Sequence, residues 1–335
     1  MDVSGKKVLI VGATGFIGSH LADTLSKAGA TVVGASRNAP TASPWWDDET
    51  GGWSWAHCQA SDASSVDALF ETHKPQIVYH LTSDSKGGRA LDLVRPSVAN
   101  DIVATVNVMT AAANHGCERF VMAASLEEPR GQAEHAAPVS PYAAAKYTTG
   151  VYARMFHTTY GLPVVLMRPF MGYGPRQNKG KLVPSIILSI LRGEPVKIGS
   201  PHRPADWIFV DDVVDGFARA ASAPDTALGK TFDLGCGGDL ITVGAIATSI
   251  GRQMDRPDLI ELGAGASRGE EMVRPAQPES TQEEFGWSAR ASLDEGLHRT
   301  ISWFQRYKEK LFLFVAGCSA WAADSVAVDL LALAA

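Results

Sequence analysis

Two residues four positions apart, Tyr142 and Lys146, are the strongest candidates for chemistry in this chain. They follow Ser140 and Pro141, and because proline suits the first turn of a helix, we expect a helix to begin here. Side chains four residues apart lie on the same face of a helix. A lysine charge beside a phenol favours the phenolate and lowers its pKa. The pair therefore predicts a tyrosine that exchanges protons near neutral pH.

A glycine-rich turn near the start of the chain predicts a dinucleotide-binding site. Its glycines stand three residues apart, between an apolar strand at residues 8–11 and a helix at 16–28. Glycine lets the backbone approach a pyrophosphate closely, and the start of the helix supplies N–H groups and the positive end of its dipole. Besides Leu81, at the end of a later strand, the residues expected to contact this cofactor are Gly12, Thr14, Gly15, Phe16, Ile17 and Gly18.

The residues after the second predicted strand, at 31–35, indicate which dinucleotide binds. An acidic residue at this place accepts the adenosine ribose hydroxyls in many NAD sites, but this chain has Ser36 and Arg37. Ser36 carries no charge that would repel a 2′-phosphate, and Arg37 can pair with one. We therefore expect NADP to be preferred to NAD. The alternative is a solvated arginine, with the ribose bound elsewhere.

The chain is predicted to be an α/β protein, because apolar strands alternate with helical patterns through its first half. Such alternation predicts a doubly wound parallel sheet of the Rossmann type, with helices on both faces. The sequence after Arg168 is less regular and richer in proline and glycine, which indicates a smaller α/β lobe where a substrate lies against the cofactor. The predicted divisions are a dinucleotide-binding domain at residues 1–170, with its sheet completed by part of 206–240, a mainly substrate-binding lobe at 171–310, and an apolar tail of unknown role at 311–335.

Composition argues against several other classes of function. The chain has 335 residues and a net charge of −6, which gives no support to a nucleic-acid or anionic-membrane surface. Its four cysteines are scattered without the spacing of a metal site or a disulfide framework, so we expect no metal and reduced thiols in the cytoplasm. The apolar stretch at residues 311–323 has thirteen residues, too few to span a bilayer.

The combination of these motifs resembles the extended short-chain dehydrogenase/reductases, and more narrowly the nucleotide-sugar epimerase/dehydratase family. The likeness runs from about Lys6 to Tyr307 and is carried by residues 12–21, 78–81, 140–146, 206–212, 285–287 and 293–297. It implies that Tyr142 exchanges a proton with a sugar hydroxyl or keto oxygen, while Ser125 hydrogen-bonds the same oxygen. It also implies that Lys146 holds the nicotinamide ribose. Tyr142 and Lys146 are thus expected to be cofactor-binding as well as catalytic.

Glu127 is a further candidate catalytic residue under this resemblance. Dehydratases of the family carry Thr-Asp-Glu after the strand predicted here at residues 119–124, and decarboxylases carry Thr-Ser-Glu there. This chain has Ser125-Leu126-Glu127. Because a leucine cannot donate a proton to a leaving hydroxyl, the resemblance favours reactions other than dehydration. Three interpretations of Glu127 stay open: a base acting on C3 or C5 of a sugar, a ligand of sugar hydroxyls, or a surface glutamate.

The same resemblance suggests how a nucleotide-diphosphate sugar is held. Arg168 and Met171 lie in a segment similar to the family's Arg-x-Phe-Asn-x-Tyr-Gly-Pro, with Met171 in place of the asparagine. Arg203 stands near, and Arg274 matches, an arginine that binds the diphosphate, and the guanidinium fork suits phosphate oxygens. These four residues are the expected substrate-binding set.

The adenine pocket departs from the pattern of the family. The family has Asp-(Leu/Val)-x-Asp there, and this chain has Gln59-Ala60-Ser61-Asp62. Either Gln59 or Asp62 is expected to contact adenine, and Asp62 is the candidate kept among the cofactor-binding residues.

The implied function is modification of a nucleotide-diphosphate sugar at C4 of the hexose. In the epimerase hypothesis, the sugar passes through a 4-keto intermediate without net redox change. In the alternative, an NADPH-dependent reductase acts on a nucleotide-4-keto-6-deoxyhexose. Dehydratase and decarboxylase reactions come next, and a dinucleotide-sensing regulator is the non-enzymatic alternative. The family also pairs through its helices, so we expect a homodimer with an interface that includes Ala143, Ala144, Ala145, Val151 and Met155.

Overall fold

The computed structural model describes residues 3–38, 52–83, 88–129, 137–264 and 274–319, with side chains to residue 311. The strands of these segments, in chain order, are β1 (Lys7–Val11), β2 (Thr31–Ser36), β3 (Ser54–His57), β4 (Ile77–His80), β5 (Arg119–Ala123), β6 (Val164–Pro169), β7 (Met171–Tyr173), β8 (Val196–Ile198), β9 (Pro204–Ala205), β10 (Trp207–Phe209), β11 (Thr231–Leu234), β12 (Ile241–Thr242) and β13 (Ile260–Leu262). The longer helices are α1 (Phe16–Lys27), α2 (Ala63–His73), α3 (Val94–Ser97), α4 (Ala104–His115), α5 (Pro141–Tyr160), α6 (Leu182–Arg192), α7 (Val210–Ala220), α8 (Val243–Gln253), α9 (Glu279–Phe285) and α10 (Leu293–Ser319).

A seven-stranded sheet organises the described residues, with the strand order β11-β6-β5-β4-β1-β2-β3. Every neighbouring pair in it is parallel. The chain reverses direction across the sheet beside β1, which pairs with β2 on one side and β4 on the other. Open α/β sheets bind ligands at such a reversal, outside the carboxyl ends of the strands. The predicted doubly wound fold is confirmed.

Helices cover both faces of this sheet, because its central strands have apolar side chains on both sides. Strand β1 has the sequence Lys-Val-Leu-Ile-Val, and its last four residues are buried, the pattern of a strand with no solvent-exposed face. One apolar cluster joins α1 and α7 to the sheet through residues such as Leu25 and Phe217. A second cluster on the opposite face includes Phe70 of α2, Val108 of α4 and Phe156 of α5.

The sequence of strand β3 gives little local indication of a strand. The strand is short, Ser-Trp-Ala-His, and has no apolar run. It forms because its backbone pairs with β2, opposite residues 33–36. Its place at the end of the strand order makes it an edge strand, where pairing on one side is enough.

A π-helical turn at Val98–Val103 lies between α3 and α4. A π-turn accommodates an extra residue and is frequent at functional sites. Here the turn carries Asp101, which is only 1% exposed. A carboxylate is thus held inside the protein beside the tyrosine helix α5, which packs against the same turn.

The later part of the chain adds small strand pairs beside the main sheet. These are β10 with β7, β12 with β9 and β13 with β8. Helices α6, α8 and α10 pack around them. The division at residues 170 and 310 stays a prediction, and most of the predicted tail, residues 320–335, lies outside the described residues. Within the described segments, no helix is both long and apolar enough to cross a membrane.

Candidate active site

The turn between β1 and α1 has glycines at positions where neighbouring backbone or a ligand can approach closely. Gly12 has φ of +99°, and its N–H donates to the Ala35 carbonyl over 2.8 Å. A Cβ added to Gly12 would lie 2.8 Å from the Thr82 nitrogen, and one added to Gly18 would overlap the Gly12 carbonyl. No side chain caps α1 at Gly15, so the N–H groups of its first turn are available to an anion.

A cavity of about 240 Å³ opens at this turn, along the carboxyl ends of the central strands. Its wall contains half of the predicted dinucleotide residues: Gly12, Thr14, Gly15, Ser36, Arg37 and Leu81. Three others, Phe16, Ile17 and Gly18, form the first turn of α1 and are not part of the wall. The close-packed glycines, the uncapped helix and this cavity fit the adenosine and pyrophosphate part of a dinucleotide.

The ribose end of this cavity has a distinctive set of contacts. The Ser36 hydroxyl donates to the Asn38 carbonyl over 2.7 Å and accepts from Trp55 Nε1 over 2.8 Å. Arg37 lines the cavity and is exposed, and it makes no hydrogen bond or ion pair with the part of the chain that the structure describes. The described wall contains no acidic side chain. A guanidinium is therefore available where a ribose phosphate would lie.

Asp62 does not form part of the cavity wall, and its predicted contact with the cofactor stays a prediction. It is the N-cap of α2, where its Oδ1 accepts from the Ser64 nitrogen over 3.0 Å and from the Ser64 hydroxyl over 2.7 Å. These bonds lower the pKa of Asp62. Gln59, the other candidate, lies in the wall, with Ser61 Oγ 2.6 Å from its Nε2. The capping requirement of the helix explains the aspartate.

The tyrosine helix begins and ends where the sequence predicts. Ser140 is its N-cap, accepting from the Ala143 nitrogen over 3.0 Å, and Pro141 occupies its first position. Gly161 ends it in the left-handed conformation, with φ of +69°. Tyr142 therefore lies in the first turn, and Lys146 lies one turn further on the same face.

Tyr142, Ser125 and Lys146 are brought together at the carboxyl end of β5. The Ser125 side chain faces the Tyr142 hydroxyl, and their interaction acts to lower the pKa of Tyr142. Lys146 Nζ lies 5.9 Å from the centre of the Tyr142 ring and donates to the Ala123 carbonyl over 3.0 Å. Ser125 and Lys146 are 5% and 6% exposed. A phenol and an alcohol thus lie together beside a buried ammonium group.

The electrostatics of Tyr142 differ from the prediction. Burial raises the pKa of Tyr142 well above its ordinary value, and the negative charges of Glu127, Asp101 and Glu128 raise it further. The interaction with the Ser125 side chain acts in the opposite direction. The expected lowering by the nearby lysine is therefore wrong for the protein alone, because desolvation of the phenolate is the larger effect. In the protein alone, burial thus favours the neutral phenol of Tyr142 over its phenolate.

Lys146 lies near two carboxylates, those of Asp101 and Glu128, which were not among the predicted site residues. Burial lowers the pKa of Lys146, while Asp101 and Glu128 raise it. Asp101 accepts from Ser83 Oγ over 2.8 Å and from Ser97 Oγ over 2.9 Å. The available signal for Asp101 was a single acid inside an otherwise apolar helical run.

Glu127 is exposed, unlike Glu128 directly after it, which is 5% exposed. Its Oε2 accepts from the Ser140 hydroxyl over 3.3 Å, and its N–H donates to Ser125 Oγ over 3.2 Å. The side chain therefore lies at the start of the tyrosine helix, where solvent and a substrate can reach it. Leu126 packs against the apolar core.

Arg168 lies between two buried carboxylates. Its NH1 lies 2.9 Å from Asp233 Oδ1 and its NH2 lies 3.4 Å from Glu128 Oε2. Arg274 NH2 donates to the carbonyls of Leu126 and Glu128 over 2.7 and 2.6 Å. Both arginines thus hold the loop that follows β5. Buried carboxylates face the fork of Arg168, and the predicted contacts of both arginines with a diphosphate stay predictions.

Met171 and Arg203 do not line the dinucleotide cavity and belong to the later part of the chain. The Met171 N–H donates to the Asp206 carbonyl over 3.0 Å, and the Arg203 carbonyl accepts from the Val243 nitrogen over 2.9 Å. Both side chains are partly buried. Their predicted contact with substrate stays a prediction. Among the described residues, no group of three or more His, Cys, Asp or Glu side chains is placed to hold a metal ion.

The doubly wound sheet, the glycine turn and the Ser125–Tyr142–Lys146 cluster define a dinucleotide-dependent class of enzyme. The model of the NAD-dependent epimerase/dehydratase family matches residues 8–235, more than half of the chain, and the chain belongs to this family. The predicted family and enzyme class are thereby confirmed.

Relatives of known name carry more than one activity. The chain is 29% identical over 321 residues to a UDP-glucose 4-epimerase of Mycolicibacterium smegmatis, with 89% of this chain and 98% of the relative covered. It is 24% identical over 335 residues to a dTDP-glucose 4,6-dehydratase of Neisseria meningitidis, with 89% and 93% covered. The structure of a UDP-glucose 4-epimerase from Thermotoga maritima with UDP-glucose superposes with a TM-score of 0.81 at 24% identity, over 90% of this chain and 99% of that one. This likeness shows the shared fold.

Proposed function

We propose that the protein is a nucleotide-sugar 4-epimerase that acts through a 4-keto intermediate. One observation carries the proposal: the hydroxyl groups of Ser125 and Tyr142 lie together beside the buried Lys146. The cluster lies at the carboxyl end of β5. The carboxyl ends of β1 and β2, in the same sheet, lead into the dinucleotide cavity. Two hydroxyl groups that converge on one point can both hydrogen-bond a single sugar oxygen.

In the proposed reaction, the residues of the chain handle the proton and the orientation of the sugar. Tyr142, as a phenolate favoured by the positive charges of Lys146 and of an oxidised nicotinamide, would take the proton of the C4 hydroxyl during oxidation and return it when the keto oxygen is reduced. Ser125 hydrogen-bonds the same oxygen and so holds C4 in place through both steps. Lys146 contributes a positive charge near the phenol and a donor for the nicotinamide ribose. The bound dinucleotide, held by the glycine turn and α1, supplies the hydride acceptor and donor.

Leu126 supports epimerisation over loss of water. A 4,6-dehydratase needs an acid to protonate the leaving hydroxyl, and the side chain between Ser125 and Glu127 is an apolar one packed on the core. The neighbouring acid, Glu127, is available for hydrogen bonds to sugar hydroxyls in this proposal. The 4-epimerases among the relatives support the same reaction, and the names of two of them make UDP-sugars the first substrates to test.

Turnover of a panel of nucleotide sugars tests this proposal. UDP-glucose, UDP-glucuronic acid and dTDP-glucose would each be incubated with the protein, with NAD or NADP added, and the products resolved by ion-pair chromatography and mass spectrometry. The proposal expects an isomer of unchanged mass and no net change in cofactor absorbance at 340 nm. A product lighter by one water would establish dehydration instead.

A second candidate is an NADPH-dependent reductase of nucleotide-4-keto-6-deoxyhexoses. Arg37 favours it, because among the described residues its guanidinium has no partner and the wall has no acidic side chain, so a 2′-phosphate would meet a cation there. Dissociation constants for NADPH and NADH, measured by quenching of tryptophan fluorescence, test the preference. We expect NADPH to bind about tenfold more tightly, with the advantage removed in Arg37→Ala and kept in Arg290→Ala, an exposed arginine outside the cavity. Tighter binding of NADH would contradict it.

We also infer that the protein forms a homodimer through one helical face. Exposed apolar side chains cluster on two elements that pack together, the α3–π-turn segment and α5; they are Val94, Val98, Val103, Tyr147, Val151 and Tyr152. We call these residues the helical face. Ala143 and Ala145, expected from the sequence to lie at the interface, are instead buried within the chain. Exposed apolar residues concentrated in one area are typical of interfaces.

A further inference from the structure

We propose that Glu128 is the positioning residue of the catalytic serine, holding Ser125 through its backbone N–H. The Ser125 nitrogen donates to Glu128 Oε1 over 2.6 Å. A bond of this length from an amide to a carboxylate belongs to the strong, charge-assisted kind. Because the carboxylate follows the serine by three residues, it closes a tight loop directly after β5. The Ser125 hydroxyl is thereby fixed toward Tyr142.

The other oxygen of Glu128 faces a buried arginine. Arg168 NH2 lies 3.4 Å from Glu128 Oε2, and its NH1 lies 2.9 Å from Asp233 Oδ1. The side chains of Glu128, Arg168 and Asp233 are 6%, 13% and 5% exposed. Buried charges persist only where they are paired and hydrogen-bonded. Glu128 is therefore a fixed acceptor, and its geometry depends on the arginine behind it.

The loop is also held from the second lobe. Arg274 NH2 donates to the carbonyls of Leu126 and Glu128. Asp233, at the far side of the arginine, accepts from the Gln277 nitrogen over 3.0 Å and, through its carbonyl, from the Thr281 hydroxyl over 2.7 Å. Residues 274–281 thus contact both ends of the ion network. The position of the catalytic serine is linked to the lobe expected to bind substrate.

Glu128 acts through Ser125 and not on a substrate. Its two oxygens face the Ser125 N–H and Arg168, and the residue is 5% exposed. The adjacent Glu127 is the exposed one, because the turn at residues 126–127 sends the two side chains in different directions. Sequence inspection could not separate them, since two consecutive glutamates look alike.

A double-mutant cycle tests this role and rests on the activity proposed above. We expect Glu128→Gln to lower kcat about tenfold while KM changes less than about twofold, because a neutral amide is a weaker acceptor for both partners. The matched control is Glu194→Gln, a surface glutamate paired with Arg192, which should leave both constants unchanged. In a Ser125→Ala background, Glu128→Gln should lower kcat by less than about twofold, because the group it positions is absent. Effects that multiply in the double variant would overturn the proposal.

A second measurement does not depend on turnover. The protein would be labelled with ¹⁵N-serine, and the Ser125 amide assigned by its disappearance in Ser125→Ala. We expect this amide to exchange with solvent at least about tenfold faster in Glu128→Ala, and in Arg168→Lys, whose single ammonium cannot bridge two carboxylates. Binding of the reduced dinucleotide should stay within about twofold, which reports an intact fold. Unchanged exchange of Ser125 in Glu128→Ala would refute the proposal even if no sugar substrate were found.

Discussion

At the scale of single residues, Lys146 shows how the site keeps a charge inside the protein. Burial lowers its pKa, and the facing carboxylates of Asp101 and Glu128 raise it. Its one bond to the Ala123 carbonyl fixes the position of the ammonium group without neutralising it. Residues from three different segments therefore keep the lysine charged and in place, so a single substitution in any of them is expected to disturb the site.

The hydroxyl of Tyr142 is the group that the proposed reaction needs most. We expect Tyr142→Phe to lower kcat by roughly a hundredfold or more, because the proton donor and acceptor at C4 is removed. The exposed tyrosine at the end of the same helix, Tyr160, supplies the control: Tyr160→Phe should retain full activity. Steady-state kinetics with UDP-glucose measure both variants. Equal activity of Tyr142→Phe and the wild type would favour the dinucleotide-sensing alternative.

His80 predicts how the stability of the protein depends on pH. It is 2% exposed, and burial, with a smaller effect of Lys146, lowers its pKa from 6.5 to about 3. The unfolded chain therefore takes up this proton first, so the stabilisation is complete above pH 6.5 and is lost as the pH falls toward 3. Over this range we expect the wild type to lose on the order of 4 kcal/mol of unfolding free energy relative to His80→Gln.

Urea denaturation at pH 7, 5.5 and 4 measures this difference, and subtraction removes the titration of all other groups. The exposed His298 gives the matched control, since His298→Gln should follow the wild type at each pH. A constant gap between the wild type and His80→Gln across the three pH values would show that His80 does not titrate in this way.

At the scale of helices and strands, local patterns were sufficient for some elements and not for others. The tyrosine helix was predictable because Ser140, Pro141 and Gly161 mark its ends. The edge strand β3 was not, since its backbone is ordered by pairing with β2 and not by its own composition. The ion network of Glu128 was also beyond local patterns, because its partners lie 40 and 105 positions along the chain from it.

Replacement of glycine by alanine is expected to destabilise the protein at Gly18, near the start of α1, and to stabilise it at Gly150. At Gly18 a Cβ would overlap the Gly12 carbonyl and lie 2.9 Å from the Ala13 Cα. We expect Gly18→Ala to lower the unfolding free energy by about 1–3 kcal/mol and to weaken dinucleotide binding. At Gly150, inside α5, the nearest atom would be 3.6 Å away, so Gly150→Ala should raise stability by about 0.5–1 kcal/mol.

Thermal denaturation and fluorescence titration with NADH and NADPH measure these two effects. A Gly18→Ala variant as stable as the wild type, with unchanged affinity for the dinucleotide, would show that the turn can shift to admit a methyl group. The space left by the glycine would then have no part in binding.

At the scale of the whole molecule, the helical face predicts the oligomeric state. We expect a dimer at about 10 µM by light scattering, and a monomer for Val151→Glu, because a charge at the centre of an apolar contact must be desolvated. Leu262→Glu is the matched control: Leu262 is 50% exposed, but it lies on β13, away from this face. A monomeric wild type at this concentration, or a Val151→Glu variant that still pairs, would contradict the proposed interface.

The two ends of the strands in the parallel sheet differ. All seven strands run in the same direction, so the dinucleotide cavity and the Ser125 loop lie at their carboxyl ends, opposite the amino ends of β1, β4 and β5. Beside those amino ends, Lys6 and Gln76 both hydrogen-bond Glu118 on the surface. An attachment made there, for instance through the variant Lys74→Cys, would hold the enzyme on a solid support with its candidate active site facing the solution.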